Sequence, residues 1–179
     1  GETIASTNYE FVAYDGTIKI GEVSGSPIYD EGQIVGMIAV ARDATQKMEF
    51  EKALAESEKK YRDILHNMDD AYFEVDLQGN FMFFNDAMLL ITERSREELM
   101  GLNYRQYMTP ETAKGVSEVF FQVYKTGKPV RLFTYEIISK SGRKKYFESW
   151  VDILLDENKK PVGFRGISRD ITARKKAED

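Results

Sequence analysis

The feature that most constrains this chain is a stretch that occurs twice. Val35-Gly36-Met37-Ile38-Ala39-Val40-Ala41-Arg42-Asp43-Ala44-Thr45 aligns with Val162-Gly163-Phe164-Arg165-Gly166-Ile167-Ser168-Arg169-Asp170-Ile171-Thr172. Each copy reads as a strand that runs into Arg-Asp-x-Thr, and each is followed by a charged segment of helical composition. The correspondence continues upstream, where Tyr9-Glu10-Phe11 faces Tyr135-Glu136-Ile137 and Asp15-Gly16 faces Ser141-Gly142. A repeat of this kind is one supersecondary unit used twice. The stretch between Tyr61 and Arg131 has no counterpart upstream. The expectation is one complete domain preceded by the C-terminal half of another.

The order of elements follows from turn and cap signals. Residues 8–42 read as three strands, divided by Asp15-Gly16 and by Asp30-Glu31-Gly32, which are hairpin signals. A meander of this kind has one face to bury, so it is expected to pack on another copy of the chain or on the helix that follows. Asp43 or Thr45 can cap that helix, which runs from about Gln46 to Asn67. Phe50, Leu54, Ser57, Tyr61, Ile64 and Met68 recur along it at alternating spacings of four and three, the seam of a coiled coil. The other reading is an amphipathic helix lying on its own domain.

Strands are expected at Ala71–Asp76 and Phe81–Phe84, joined by Gln78-Gly79-Asn80. Asn85 is expected to cap a short helix, and Ser95-Arg96-Glu97-Glu98 fits a capping box. Asn103–Met108 is ambiguous. Thr109-Pro110-Glu111 opens a longer helix, with Ala113, Val116, Phe120 and Val123 as its apolar stripe and Gly127 as its end. Three strands close the domain, at Val130–Lys140, Arg143–Leu155 and Pro161–Ile171. Two strands, several helices and three strands imply an α+β fold in which helices cover one face of an antiparallel sheet.

Taken in order, Tyr61-Arg62-Asp63-Ile64-Leu65, Phe73-Glu74-Val75-Asp76, Asn85, Ser95 through Gly101 and Asp170-Ile171-Thr172 resemble a PAS domain. The resemblance is complete over about Lys60–Thr172, and residues 8–45 resemble the last three strands of a preceding PAS domain. It implies a PAS-like five-stranded antiparallel sheet with helices on one face. A three-strand antiparallel meander and a connecting helix would precede it. The expected divisions are 1–45 for the truncated unit, 46–67 for the helical linker, 60–172 for the complete domain and 173–179 for the start of an output helix. It further implies a signal-sensing and relay domain within a multidomain signalling protein, such as a sensor histidine kinase. Asp43, Thr45, Asp170 and Thr172 are then the signal junctions, with plain helix capping as the other role open to them. Asp170 is expected to pair with a nearby basic group.

Alternation along the strands turns Phe73, Phe133, Tyr135, Ser149, Phe164 and Ser168 inward, and would expose Trp150. With Phe83, Phe120 and Tyr124 these are the candidates for a ligand pocket; each is also compatible with ordinary core packing. Haem-binding members of the family take an axial His from the long helix. None lies in Thr109–Thr126, and the one histidine, His66, is in the incoming helix. Flavin photoreceptors and covalent chromophores need a cysteine, and the chain has none. Haem and covalent flavin are therefore not expected, no metal site is expected, and an unidentified small organic ligand remains open. A ligand-free module for dimerisation and relay is the alternative, and a small isomerase-like enzyme a remote one. No set of nucleophile, base and orienting group appears, so catalysis is not expected.

The hydrophobic fraction of 42% supports a core, and a net charge of −5 argues against a nucleic-acid partner. No apolar run approaches the ~18 residues that span a bilayer, and no signal-peptide pattern is present. A cytoplasmic location, a homodimer and a C-terminal output domain such as a kinase are the expectations.

Overall fold

A computed structural model describes residues 4–178. The chain forms two compact units that meet between Tyr61 and Arg62.

The first unit contains three antiparallel strands in the order β1-β2-β3: β1 (Ile4–Val12), β2 (Ile18–Asp30) and β3 (Gln33–Asp43). Gly16 and Gly32 close the hairpins with φ values of 84° and 82°, a region that costs glycine nothing. β3 exposes Ile34, Val35, Met37, Ile38 and Val40. The following helix, α1 (Thr45–His66), buries only Leu65 and leaves Phe50, Leu54, Tyr61 and Ile64 in water. Of the two covers expected for the meander, the helix that follows it does not fill the role.

The second unit has a five-stranded antiparallel sheet in the order β5-β4-β8-β7-β6. Its strands are β4 (Ala71–Asp76), β5 (Phe81–Phe84), β6 (Val130–Ile138), β7 (Lys144–Leu155) and β8 (Pro161–Asp170). Helices α2 (Asp86–Thr92), α3 (Arg96–Leu99), a 3-10 turn at Tyr104–Tyr107 and α4 (Pro110–Thr126) lie between β5 and β6 in sequence and pack on the core face of the sheet. The exit helix α5 spans Thr172–Glu178. Ser95 and Glu98 form the capping box. Thr109 caps α4 with Pro110 in its first turn, and Gly127 ends it at φ 64°.

Strand alternation holds in β4, β7 and β8. Phe73 and Val75, Phe147, Ser149 and Val151, and Phe164, Gly166 and Ser168 are buried. Trp150 is half-buried on the other face rather than exposed. Alternation fails in β5. Glu74 pairs with Phe83 but Val75 pairs with Phe81, so the ladder shifts by one residue at a bulge. Phe81 and Phe84 are buried, and Phe83 is turned outward at 39% exposure, its ring edge-on to Tyr72 at 6.0 Å. This corrects the expectation that Phe83 lines the interior.

β8 runs very close to its neighbours. A Cβ at Gly163 would lie 2.1 Å from the Val75 carbonyl oxygen, and one at Gly166 would lie 2.6 Å from the Phe73 ring. Glycine at these two positions is what lets the central strands and the Phe73 ring approach.

Candidate functional site

The site has two parts, an interior on the helix side of the sheet and a junction where β8 becomes α5. Aromatic rings fill the interior. Phe120 of α4 stacks on Phe164 of β8 at 4.5 Å and 12°, and Tyr104 meets Phe120 edge-on at 5.2 Å. Phe81 stacks on Tyr107 at 5.9 Å, and Phe133 stacks on Tyr135 at 5.3 Å. The cavity left among Phe73, Phe81, Tyr107, Phe133 and Tyr135 measures about 10 Å³, room for about one water. Tyr104 and Tyr107 were hidden in the ambiguous stretch. Their spacing of three, which eclipses side chains in a 3-10 turn, is the signal that places both rings on one side.

The three expected polar groups do meet there. Ser149 Oγ donates to Tyr135 Oη at 3.2 Å, Tyr135 Oη and Ser168 Oγ are 2.9 Å apart, and Ser149 Oγ and Ser168 Oγ are 2.6 Å apart. A ring in which Ser149 donates to Tyr135, Tyr135 to Ser168 and Ser168 to Ser149 satisfies all three hydroxyls. Burial raises the Tyr135 pKa above its ordinary value, against the opposing pull of Ser149 and Ser168. The trio ties β6, β7 and β8 together two residues before Asp170. Among the described residues, no buried side-chain nitrogen or oxygen lacks a partner.

The junction is built by four groups. Ile171 N donates to Tyr146 O at 2.8 Å, and Tyr146 N donates to Thr172 Oγ1 at 2.9 Å. Thr172 N donates to Asp170 Oδ1 at 2.8 Å, and Ile171 is buried at 4% exposure. The first copy repeats this bond for bond. Ala44 N donates to Ile20 O at 2.8 Å, Ile20 N to Thr45 Oγ1 at 2.9 Å and Thr45 N to Asp43 Oδ1 at 3.0 Å, with Ala44 at 5% exposure. The threonine hydroxyl thus accepts from the neighbouring strand, and the aspartate accepts the amide of the first helical residue. Tyr146, whose amide donates to the Thr172 hydroxyl, was not singled out in the sequence, because nothing local in its own segment marks it.

The two copies differ in charge. Lys19 lies 3.2 Å from Asp43, and bonds from Thr45, then Lys19, hold the Asp43 carboxyl at about 2. Among the described residues Asp170 has no cation within 4.0 Å, which corrects the expected basic partner; its neighbour Arg169 pairs with Asp70 at 2.8 Å instead.

Asn85 also departs from expectation. It precedes α2 but its side chain does not cap it. Its Oδ1 accepts from Tyr72 N at 3.0 Å, and its Nδ2 donates to Leu65 O at 3.1 Å and Asp70 O at 3.0 Å. The side chain of Asn85, buried at 4% exposure, thereby holds the end of α1 to the start of β4. His66 Nδ1 lies 2.9 Å from Asp86 Oδ2, away from the interior. Tyr124 lies outside the interior cavity, at 51% exposure. Among the described residues no group of three metal-ligating side chains occurs, and no helix is long and apolar enough to cross a membrane.

Comparison with known proteins decides the family. Residues 59–171 match the family described as "PAS fold", and residues 3–46 match a PAS domain family. The chain belongs to the PAS family. It carries one whole PAS domain preceded by part of another. It is 26% identical over 159 residues to Sporulation kinase C of Bacillus subtilis, covering 85% of this chain but only 37% of that kinase. The fold is similar to a PAS domain from Colwellia psychrerythraea, with a TM-score of 0.59 and 23% identity over 65% of this chain and 98% of that one. A PAS domain of an HTR-like protein from Haloarcula marismortui gives a TM-score of 0.59 and 18% identity over 69% of this chain and 99% of that one.

Proposed function

We propose that this PAS chain is the sensing and relay segment of a larger signalling protein, and that it passes its state along β8 through Asp170-Ile171-Thr172 into α5. The observation that carries the reading is the doubled junction. Two strand-to-helix transitions in one chain use the same backbone amide bonds to a threonine hydroxyl and an aspartate carboxylate, and each ties the first turn of a helix to the strand beside it. A shift of β8 against β7 strains those bonds, so the helix either follows the strand or lets go. The family match supports a signal-sensing role, and the similarity to Sporulation kinase C supports a kinase as the output domain.

Two routes to sensing are open to such a fold: a small molecule in the interior, or repacking of a filled interior. A cavity of about 10 Å³ favours the second, since ligand pockets run to roughly 300–1,000 Å³. In this reading the interior rings and the hydroxyl trio set the position of β8, and an input acts by its differential affinity for two packings. The segment has no catalytic role. Pairing of two chains along the exposed α1 seam, in a cytoplasmic protein, belongs to the same reading.

The test is replacement of Asp170 by Ala together with Thr172 by Val in the intact signalling protein. Loss of signal-dependent output with the fold retained is expected; unchanged output overturns the relay. An organic molecule that co-purifies with the chain and whose removal shifts the amides of Tyr135, Ser149 and Ser168 in the interior would restore the interior-ligand route.

A further inference from the structure

Outside the packed interior lies a second concavity of about 280 Å³, open to solvent. It is formed by the β4–β5 turn, the 3-10 turn, α4 and β8. Tyr104 and Phe120 line both spaces and are the wall between them. Its volume is near the low end for small-molecule sites.

Two observations describe what fits it. The first is apolar. α4 already buries a complete stripe through Ala113, Val116, Phe120 and Val123, yet it also presents Phe121 at 66% and Tyr124 at 51% exposure to this groove. Flat rings at these positions offer faces and edges to another flat ring. The second is charge. Arg105 stands at the rim with its guanidinium 4.7 Å from the Tyr104 ring centroid. It donates to Gln78 O at 3.1 Å, Asn103 Oδ1 at 3.3 Å and Ser117 Oγ at 2.9 Å. All three acceptors are neutral, and among the described residues no carboxylate lies within 4.0 Å of it. Three of its five N–H groups are used, which fixes the fork and leaves two for an incoming group. A held guanidinium loses little freedom on binding, and a planar fork matches a carboxylate.

We infer that this groove binds a small aromatic carboxylate, with the ring against Phe121 and Tyr124 and the carboxylate on Arg105. A single fixed cation matches a single negative charge, and the exposed rings of Phe121 and Tyr124 match a flat aromatic body. The floor of the groove is the Phe120–Phe164 stack, so an occupant touches β8 directly. That onward route to Asp170 rests on the relay reading; binding in the groove does not.

The experiment is an amide NMR titration of the whole chain with 2-naphthoate and with its neutral counterpart 2-naphthamide. The expected result is saturable shifts at Gln78, Arg105, Phe121 and Tyr124, with 2-naphthamide binding roughly tenfold more weakly, the loss of one charge-assisted bond. Arg105→Gln should weaken 2-naphthoate by the same factor and leave 2-naphthamide unchanged. Equal affinity for the two probes, shifts centred instead on Tyr135, Ser149 and Ser168, or no saturation at millimolar probe overturns the inference. The two-probe comparison on the unaltered chain stands even if the variant misfolds. A failed titration leaves the Asp170 and Thr172 experiment untouched, so the two readings fail separately.

Discussion

Thr172→Val replaces one hydroxyl by a methyl of similar size, so packing at the junction is nearly conserved. What is lost is the acceptor for Tyr146 N, which bonds Thr172 Oγ1 at 2.9 Å. Tyr146 is half-buried, and a partly enclosed amide left without a partner costs about 1–2 kcal/mol. The neighbouring bond from Ile171 N to Tyr146 O, at 2.8 Å, survives the substitution and reports on opening of the junction. A cost of about 1–2 kcal/mol raises the open fraction roughly fivefold to thirtyfold. Hydrogen exchange of the Ile171 amide, read by NMR at fixed pH, should accelerate by that factor. Thr172→Ser keeps the acceptor and should stay within about twofold of the unaltered chain. Thr45→Val should act in the same way on the Ala44 amide, because Ile20 and Thr45 repeat the geometry. If serine behaves like valine, or if valine leaves Ile171 exchange unchanged, the hydroxyl does not fasten the helix and the reasoning fails.

Other substitutions and conditions test the remaining parts. Asn85→Ala removes three hydrogen bonds that join α1 to β4 and should cost roughly 2–4 kcal/mol in urea unfolding; a cost below about 1 kcal/mol would mean the residue is only a spacer. Gly163→Ala places a methyl 2.1 Å from the Val75 carbonyl oxygen and should lower stability by about 1–3 kcal/mol, whereas a neutral result would contradict the close approach of β4 and β8. The Asp43 carboxyl is held at about 2, below its ordinary 3.8, by its bonds from Thr45 and Lys19. Its contribution to stability is therefore full above pH 3.8 and fades as pH falls toward 2; carbon-detected titration of Asp43 giving a midpoint at or above 3.8 would refute the bonding. The proposed pairing along the exposed α1 seam predicts that the chain sediments as a dimer and that Leu54→Glu with Ile64→Glu makes it a monomer; a monomer before substitution, or a dimer after it, would remove the seam from the assembly.

Much of the architecture is legible in the sequence because its signals are local. The capping box at Ser95, the Thr109-Pro110 start and the Gly127 stop of α4 each depend on a few adjacent residues, and each forms as expected. Alternation also placed Tyr135, Ser149 and Ser168 on the inner face, and they form one hydroxyl ring. Misreadings arise where partners are distant or the period breaks. A bulge between β4 and β5 turned Phe83 outward and brought in Phe84, which no pattern of four residues announces. Asn85 looked like a helix cap because its type and position fit one, yet its partners lie 13 and 20 residues away. Pairing of Thr172 with Tyr146 spans 26 residues and follows from strand register alone. The groove beside Arg105 was not legible at all, since it is assembled from a turn, a helix and the last strand.

The proposed relay requires the interior and the junction to form one coupled unit through β8. A double-mutant cycle of Ser168→Ala and Thr172→Val, read by hydrogen exchange of the Ile171 amide, tests it most directly. Coupling predicts an interaction energy of at least about 0.5 kcal/mol, beyond the additivity of independent sites. Effects that add to within about 0.3 kcal/mol would mean that the hydroxyl ring and the junction are independent, and that β8 does not carry a state from one to the other.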